Sequence, residues 1–273
     1  MKNNYDKSFN TTCITQVGAT ILKLLDVDAD EKMAPFIPEV YETAQKKFMV
    51  DEGYPVCDRI FMYNPDAIGS WVFNYYDSVT EQADVVSDLK LPMLSVVPPV
   101  TPVCFCSMYS GLLPSEHGIQ KYEKPVLKCT TVFDKLIEDG KKIAIISTEG
   151  DSISLIFLER NMDYFIYNSV KACNEKAIQL INEDIYDVIV LYNTNYDYWM
   201  HRVSPKGALA RKALRDNVRT YCQLKELISQ KWTSHNVALA FAPDHGCHRK
   251  GILGTHGINK PCDMNIYHLW SFI

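Results

Sequence analysis

The sequence predicts an α/β protein built on a mostly parallel sheet with helices on both faces. Apolar runs of strand length recur at Arg59 to Tyr63, Leu91 to Val97, Lys142 to Ser147, Asp187 to Tyr192 and Asn236 to Ala242. Helix-patterned stretches fall between most of them, which is the alternation of strand–helix–strand units. The composition, 47% apolar and 22% charged over 273 residues, suits one large globular domain or two small ones and excludes disorder, collagen and coiled coil.

Taken in order, the chain opens with helical patterns at Thr12 to Leu25 and Pro38 to Phe48, joined by the acidic link Asp26 to Glu31. They precede the first strand, so residues 1–56 read as a helical N-terminal extension and 57–273 as the sheet-bearing domain. After the second strand, Thr130 to Asp139 reads as a helix closed by Gly140, a residue suited to a left-handed C-terminal cap. The third strand follows, then a helix at Val170 to Asn182, the fourth strand, a long polar-faced helix at Lys206 to Lys231, and the fifth strand. Asn265 to Ile273 has the pattern of a last strand.

Charge narrows the partners. Twenty-eight Lys and Arg stand against 33 Asp and Glu, a net charge of −5, so no bulk positive field draws the chain onto nucleic acid or an anionic membrane. Apolar stretches such as Val188 to Tyr192 fall far short of the ~20 residues a membrane helix needs, which predicts a soluble protein. The first dozen residues are polar, Lys23 interrupts the Ile21 to Leu25 run, and nine cysteines lie scattered without CxxC pairs. These features predict a cytoplasmic location with reduced thiols.

In open parallel sheets, ligands gather beyond the carboxyl ends of the strands, so the polar residues after each apolar run carry the chemistry. The first run leads into Asn64, Pro65, Asp66, Ala67, Ile68 and Gly69; the fourth into Asn193, Thr194, Asn195, Tyr196 and Asp197; the fifth into Pro243, Asp244, His245 and Gly246. His201 follows Asp197 by four positions, which puts both side chains on one face if the segment is helical. His256 lies in Gly254, Thr255, His256, Gly257. Three Asp and three His form a donor set suited to two divalent cations.

The segment after the second run supplies a candidate nucleophile. Thr101 followed by Pro102 reads as a helix N-cap followed by the first helical position, where a hydroxyl faces the positive end of the helix dipole.

The ordered set Asp66, Thr101, Asp197 with His201, Asp244 with His245, then His256 resembles the alkaline phosphatase superfamily of metalloenzymes. Thr101 through Gly111, continuing through Pro114, His117, Gly118 and Ile119, is similar to the nucleotide pyrophosphatase/phosphodiesterase segment: a nucleophilic Thr, a helix, then a TGLYPxxHGI-like turn. The resemblance runs from about Arg59 to the C-terminus. It implies an alkaline phosphatase-like catalytic domain over 57–273, with one metal on Asp197, His201 and His256 and the other on Asp66, Thr101, Asp244 and His245. The implied cofactors are two divalent ions, zinc or alternatively manganese. The implied reaction is phosphoester hydrolysis of a small-molecule substrate, with Thr101 attacking phosphorus in line, a covalent phosphothreonine or phosphodiester intermediate, and water completing the cycle.

The chain departs from that pattern at two places. Cys104 stands three residues past the nucleophile, where the phosphodiesterase branch has an Asn that donates to a phosphate oxygen, and Met200 stands where the DxxGH motif has Gly. The short Asp244 to His256 interval is similar to the phosphomutase branch, but the Thr101 to Asp197 interval is filled by predicted elements, which favours an uncapped hydrolase. Alternatives are a phosphomutase or phosphonate-processing enzyme of the same superfamily, or a noncatalytic scaffold that keeps the fold. Cys104, Lys121 and Arg249 are the candidate substrate contacts, with Lys124, His248 and Lys250 beside them and Tyr196, Tyr198 and Trp199 as candidate stacking residues. His117 reads as a residue that pins a loop.

Overall fold

The computed structural model describes residues 7–51 and 54–273. In chain order the elements are β1 (Thr12–Cys13), α1 (Gln16–Leu24), α2 (Pro38–Phe48), β2 (Arg59–Pro65), α3 (Ser70–Tyr75), α4 (Asp77–Val86), β3 (Leu89–Leu94), α5 (Thr101–Ser110), α6 (Pro114–His117), α7 (Val132–Glu138), β4 (Ile143–Thr148) and α8 (Ser152–Ile156). They continue as β5 (Asp163–Tyr167), α9 (Val170–Glu183), β6 (Val188–Asn193), α10 (Asn195–Val203), α11 (Ala208–Lys231), β7 (Val237–Phe241), β8 (His248–Lys250), β9 (Leu253–Thr255), α12 (Pro261–Met264) and β10 (Asn265–Phe272).

Eight strands make one sheet in the order β1-β3-β10-β7-β2-β6-β4-β5, parallel except for β10, which runs antiparallel to both β3 and β7. Alternation along the central strands explains why their sequences are continuously apolar. In β2, Ile60 and Met62 enter one core while Phe61 and Tyr63 enter the other; β6 splits Val188 and Val190 from Ile189 and Leu191 in the same way. The first core is closed by α1, α5, α7 and α8, the second by α4, α9 and α11. This is the predicted α/β architecture with helices on both faces.

The N-terminal segment holds the two expected helices and adds a strand. Thr12 and Cys13 pair in parallel with Met93 and Leu94, so α1 starts at Gln16 and not at Thr12. Ile14, Val17, Ile21 and Val40 share one core with Val103 and Phe105 of α5. Gly18 makes that approach close, since a Cβ there would stand 3.2 Å from the Met108 carbonyl. The N–H groups of Val56 and Cys57 both donate to Leu24 O, at 3.0 and 2.9 Å. Residues 7–51 thus add an edge strand to the sheet and two helices to the layer over it.

The second strand ends at Leu94, short of the expected Val97, because the chain turns away at Ser95 toward α5. Strand β5 was not legible as an apolar run, being an edge strand with exposed positions at Asp163 and Ile166. The Thr101 to Asp197 interval runs through α5 to α10 and the loops between them. Among the described residues no helix is long and apolar enough to cross a membrane.

Candidate metal centre

Strands β7, β2 and β6 are neighbours at the middle of the sheet and parallel, so their carboxyl ends open onto one rim. Asp66 leaves the end of β2 with its N–H on Asn193 O of β6 at 3.0 Å. Asp244 follows β7, and one of its oxygens accepts the Ala67 N–H at 3.3 Å, locking the two loops together. Asp197 lies in the first turn of α10, and the four-residue spacing brings His201 Nε2 to 3.2 Å from Asp197 Oδ1. The β8–β9 hairpin then delivers His256, whose Nε2 stands 3.5 Å from the same oxygen. His245 Nε2 lies 3.3 Å from Asp244 Oδ2 and 3.6 Å from Asp66 Oδ1. The His245 and His256 rings stack with centroids 4.1 Å apart, so the two groups share a wall.

Thr101 sits against the second group. Its hydroxyl donates toward Asp66 Oδ2 at 3.5 Å, and its oxygen is 3.3 Å from His245 Nε2. Val100 is the N-cap of α5 and Thr101 its first helical residue, one position further in than the sequence suggested. The hydroxyl keeps its place at the helix N-terminus. The structure therefore brings together all seven residues expected to hold metal, as Asp197–His201–His256 and as Asp66–Asp244–His245 with Thr101.

The donor set fits divalent cations on three grounds. Every ligand histidine donates Nδ1–H to a backbone carbonyl, His201 to Gly254 at 3.1 Å, His245 to Gly246 at 2.9 Å and His256 to Pro99 at 3.1 Å, which leaves each Nε2 bare and aimed at the carboxylates. Buried Asp66 Oδ1, Asp197 Oδ1 and Asp244 Oδ2 take no hydrogen bond. The spacings of 3.2 to 3.6 Å between facing atoms match the roughly 3.3 Å that separates ligands bound at about 2.0–2.1 Å around one tetrahedral ion.

The electrostatics agree. Burial, with Asp244 and Asp197 nearby, pushes the Asp66 carboxyl well above its usual range, and burial carries Asp244 up to about 7. Burial lowers His245, and burial together with His245 brings His256 down to about 4. For Asp197 burial is again the largest influence, but the surrounding His201, His256 and His245 outweigh it and hold the carboxyl below its ordinary value. Burial thus disfavours charge on His245 and His256, while the hydrogen bond to Asp197 raises His201, and carboxylates crowded around such imidazoles form a site that gains stability from added positive charge.

A cavity of about 430 Å³ opens over this rim. Sequence reading missed two of its polar walls. Tyr192, buried on β6, donates its hydroxyl to Asp66 Oδ2, and it read as one more apolar strand residue. Asp151 follows β4 and lines the cavity; its Oδ2 accepts from the hydroxyl and N–H of Thr148 and from Ser147, and burial raises its pKa. The strand-end rule applied to the third run would have found it.

The candidate substrate contacts lie elsewhere. Cys104 is buried with its sulfur 3.1 Å from Ser95 Oγ, Lys121 is exposed and 3.4 Å from Glu123, and Arg249 donates Nε–H to Gly251 O at 2.7 Å; none lines the cavity. Lys124 does line it, as does Tyr198, whose ring carries the Arg202 guanidinium at 3.5 Å. Tyr196 is buried, with its hydroxyl on Pro205 O. His117 pins the turn after α5, its Nε2 3.0 Å from Ser107 Oγ and its Nδ1 accepting from Ile119 N–H at 3.2 Å. Met200 packs its sulfur over Gly254, where a Cβ would also stand 2.7 Å from Met200 O, so the departure from DxxGH is taken up in packing against β9.

No protein-family model matches the chain, and no curated protein matches it. Solved structures do. Murine ectonucleotide pyrophosphatase/phosphodiesterase 5 superposes with a TM-score of 0.57 at 16% identity over 70% of this chain and 58% of its own; the human protein gives 0.57 at 14%, over 70% and 57%. Phosphonoacetate hydrolase from Sinorhizobium meliloti 1021, in complex with phosphonoformate, gives 0.55 at 17%, over 72% and 58%. The chain thus covers less than two thirds of the length of each. What these likenesses share with the architecture above is the fold alone, and this chain has the alkaline phosphatase-like fold.

Proposed function

We propose that this chain is a metal-dependent phosphoester hydrolase that uses Thr101 as its nucleophile and acts on small phosphodiesters. The observation that carries the reading is the meeting of two His/Asp groups at one helix-start hydroxyl: Asp197, His201 and His256 beside Asp66, Asp244, His245 and Thr101. These residues would hold two divalent cations, zinc or manganese, which when bound neutralise charge on the phosphoryl and leaving oxygens.

The chain's own part follows from position. Thr101 is the first residue of α5, and Asp66 and His245 flank its Oγ1, so the hydroxyl is positioned among the candidate ligands before substrate arrives. Oγ1 gives up its proton and forms a bond to phosphorus as the bond to the leaving alcohol breaks, and a proton returns to the departing oxygen, so the net transfer is from the Thr101 hydroxyl to the alcohol. Water then breaks the threonine–phosphorus bond and restores the hydroxyl. Lys124 and Arg202 supply positive charge at the cavity wall, where Cys104 offers the substrate no donor. The nine free cysteines support a reducing, cytoplasmic setting.

The test is p-nitrophenol release from a monoester and a diester with zinc or manganese added, comparing wild type with Thr101→Ala. We expect diester turnover that falls at least about a thousandfold in the variant while bound metal persists. Unchanged turnover in Thr101→Ala would remove Thr101 from the chemistry. The likeness to phosphonoacetate hydrolase supports a second reading, cleavage of a phosphonate carbon–phosphorus bond, which phosphate release from phosphonoacetate would favour over diester turnover.

A further inference from the structure

We infer that Asp263 is a positioning residue that brackets the segment carrying His256 and thereby sets one of the two candidate metal sites; the inference rests on the metal-centre reading above. His256 directly follows the β8–β9 ribbon, a two-stranded sheet with no further strand partner among the described residues. Such a ribbon is marginal in water on its own and needs an outside anchor to hold a side chain in place. Asp263 is fully buried and reaches both ends of it. His248, the first residue of β8, donates Nδ1–H to its carboxylate at 2.9 and 3.0 Å, and Ile258, two residues past His256, donates its N–H to Oδ2 at 3.0 Å. Gly257, with φ 109°, makes the reversal that returns the Ile258 amide to Asp263. The Asp263 carbonyl also accepts the N–H of Gly246 at 2.7 Å, next to His245. One residue therefore ties the start of the ribbon, its end and the neighbouring ligand loop.

His248, Cys262 and Asp263 also have the composition of a third metal site, but their spacing argues against one. The imidazole-to-carboxylate separations of 2.9 and 3.0 Å are those of a charge-assisted hydrogen bond, shorter than the 3.2 to 3.6 Å in the two ligand groups. The carboxylate is engaged as an anchor.

The experiment uses the full chain, stripped of metal, and reads two things: calorimetric uptake of zinc, and hydrogen exchange over residues 248–258. His256→Ala identifies which uptake step belongs to the Asp197–His201–His256 site. We expect Asp263→Asn and His248→Ala to weaken that step by about 10–100-fold, leave the other within error, and speed exchange over 248–258. His248→Asn, which keeps a donor at the δ position, should recover most of the affinity. Equal weakening of both steps, or an asparagine variant no better than alanine, overturns the inference, as does unchanged exchange in the metal-free variants. Wild type that takes up no zinc while the variants still loosen 248–258 would sink the hydrolase reading and leave the bracket standing.

Discussion

Two kinds of histidine occur in this chain, and their hydrogen bonds separate them. The ligand histidines donate through Nδ1 and present Nε2 to carboxylates; His268, on β10, donates Nε2–H to Pro243 O at 2.9 Å and has no partner for Nδ1 among the described residues. Burial lowers its pKa to about 4. Between about 6.5, the unfolded value, and about 4, the unfolded chain binds a proton that the folded chain does not. The stability His268 contributes is therefore complete above pH 6.5 and is lost as the pH falls toward 4, at about 1.4 kcal/mol per pH unit. Urea unfolding of wild type and His268→Gln at several pH values checks this. The gap between them should narrow on acidification, and a gap that does not change with pH would remove His268 as a source of acid sensitivity.

At the scale of elements, the site depends on a three-way crossing of the loops after β2 and β7 with α12. Gly246, directly after His245, lies so close that a Cβ there would collide with Cys262 O and stand 2.9 Å from Gly69 Cα, both backbone atoms that cannot rotate away. Gly246→Ala should cost about 1–3 kcal/mol of stability and reduce bound metal, because relief of the clash moves the Asp244–His245 loop. Gly140, with φ 76° but nothing within 4 Å, is the control: alanine there meets only backbone strain of about 1 kcal/mol, and metal content should not change. Thermal melts with metal analysis distinguish the two. The same crossing explains what the sequence made legible. Strands β2, β6 and β7 are buried on both faces, so they read as apolar runs, and their ends announce Asp66, Asp197 and Asp244. Helices α3 and α4 lack a long apolar stripe, and β5 is an edge strand exposed at Asp163 and Ile166, so none of the three reads as a long apolar pattern. Cys104 stands at the family's phosphate-binding position, Arg249 between two ligand clusters and Lys121 beyond the nucleophile helix, but where their side chains point depends on helix phase and loop path, which residue spacing does not specify.

Across the whole molecule, the candidate metal centre is where separate parts of the chain meet. Its ligands come from the ends of β2 and β7, from α10 directly after β6, from α5 and from the segment after the β8–β9 ribbon, and α5 packs on the N-terminal α1, which in turn follows the edge strand β1. Without cations, buried Asp66 and Asp244 repel each other, and burial with that repulsion holds the Asp66 carboxyl well above its ordinary range while burial carries Asp244 up to about 7. Where both are ionised, the apo protein carries that repulsion in its folded state alone, since the unfolded chain separates the two carboxylates. Cations that bind the folded chain and not the unfolded one stabilise it by about 2.7 kcal/mol per site at a hundredfold excess over the dissociation constant. For a chain of this size each kcal/mol raises the melting temperature by roughly 2–4 °C, so one occupied site is worth about 5–10 °C. We expect chelation at pH 8 to lower the melting temperature by at least that much, zinc or manganese to restore it, and the shift to shrink at pH 5.5, where protons compete for Asp244 and Asp66. Because these ligands join elements from both ends of the chain, near- and far-ultraviolet probes should melt together in both forms. A chelated protein that melts where the loaded one does, at both pH values, would mean that these carboxylates do not hold cations in the folded state.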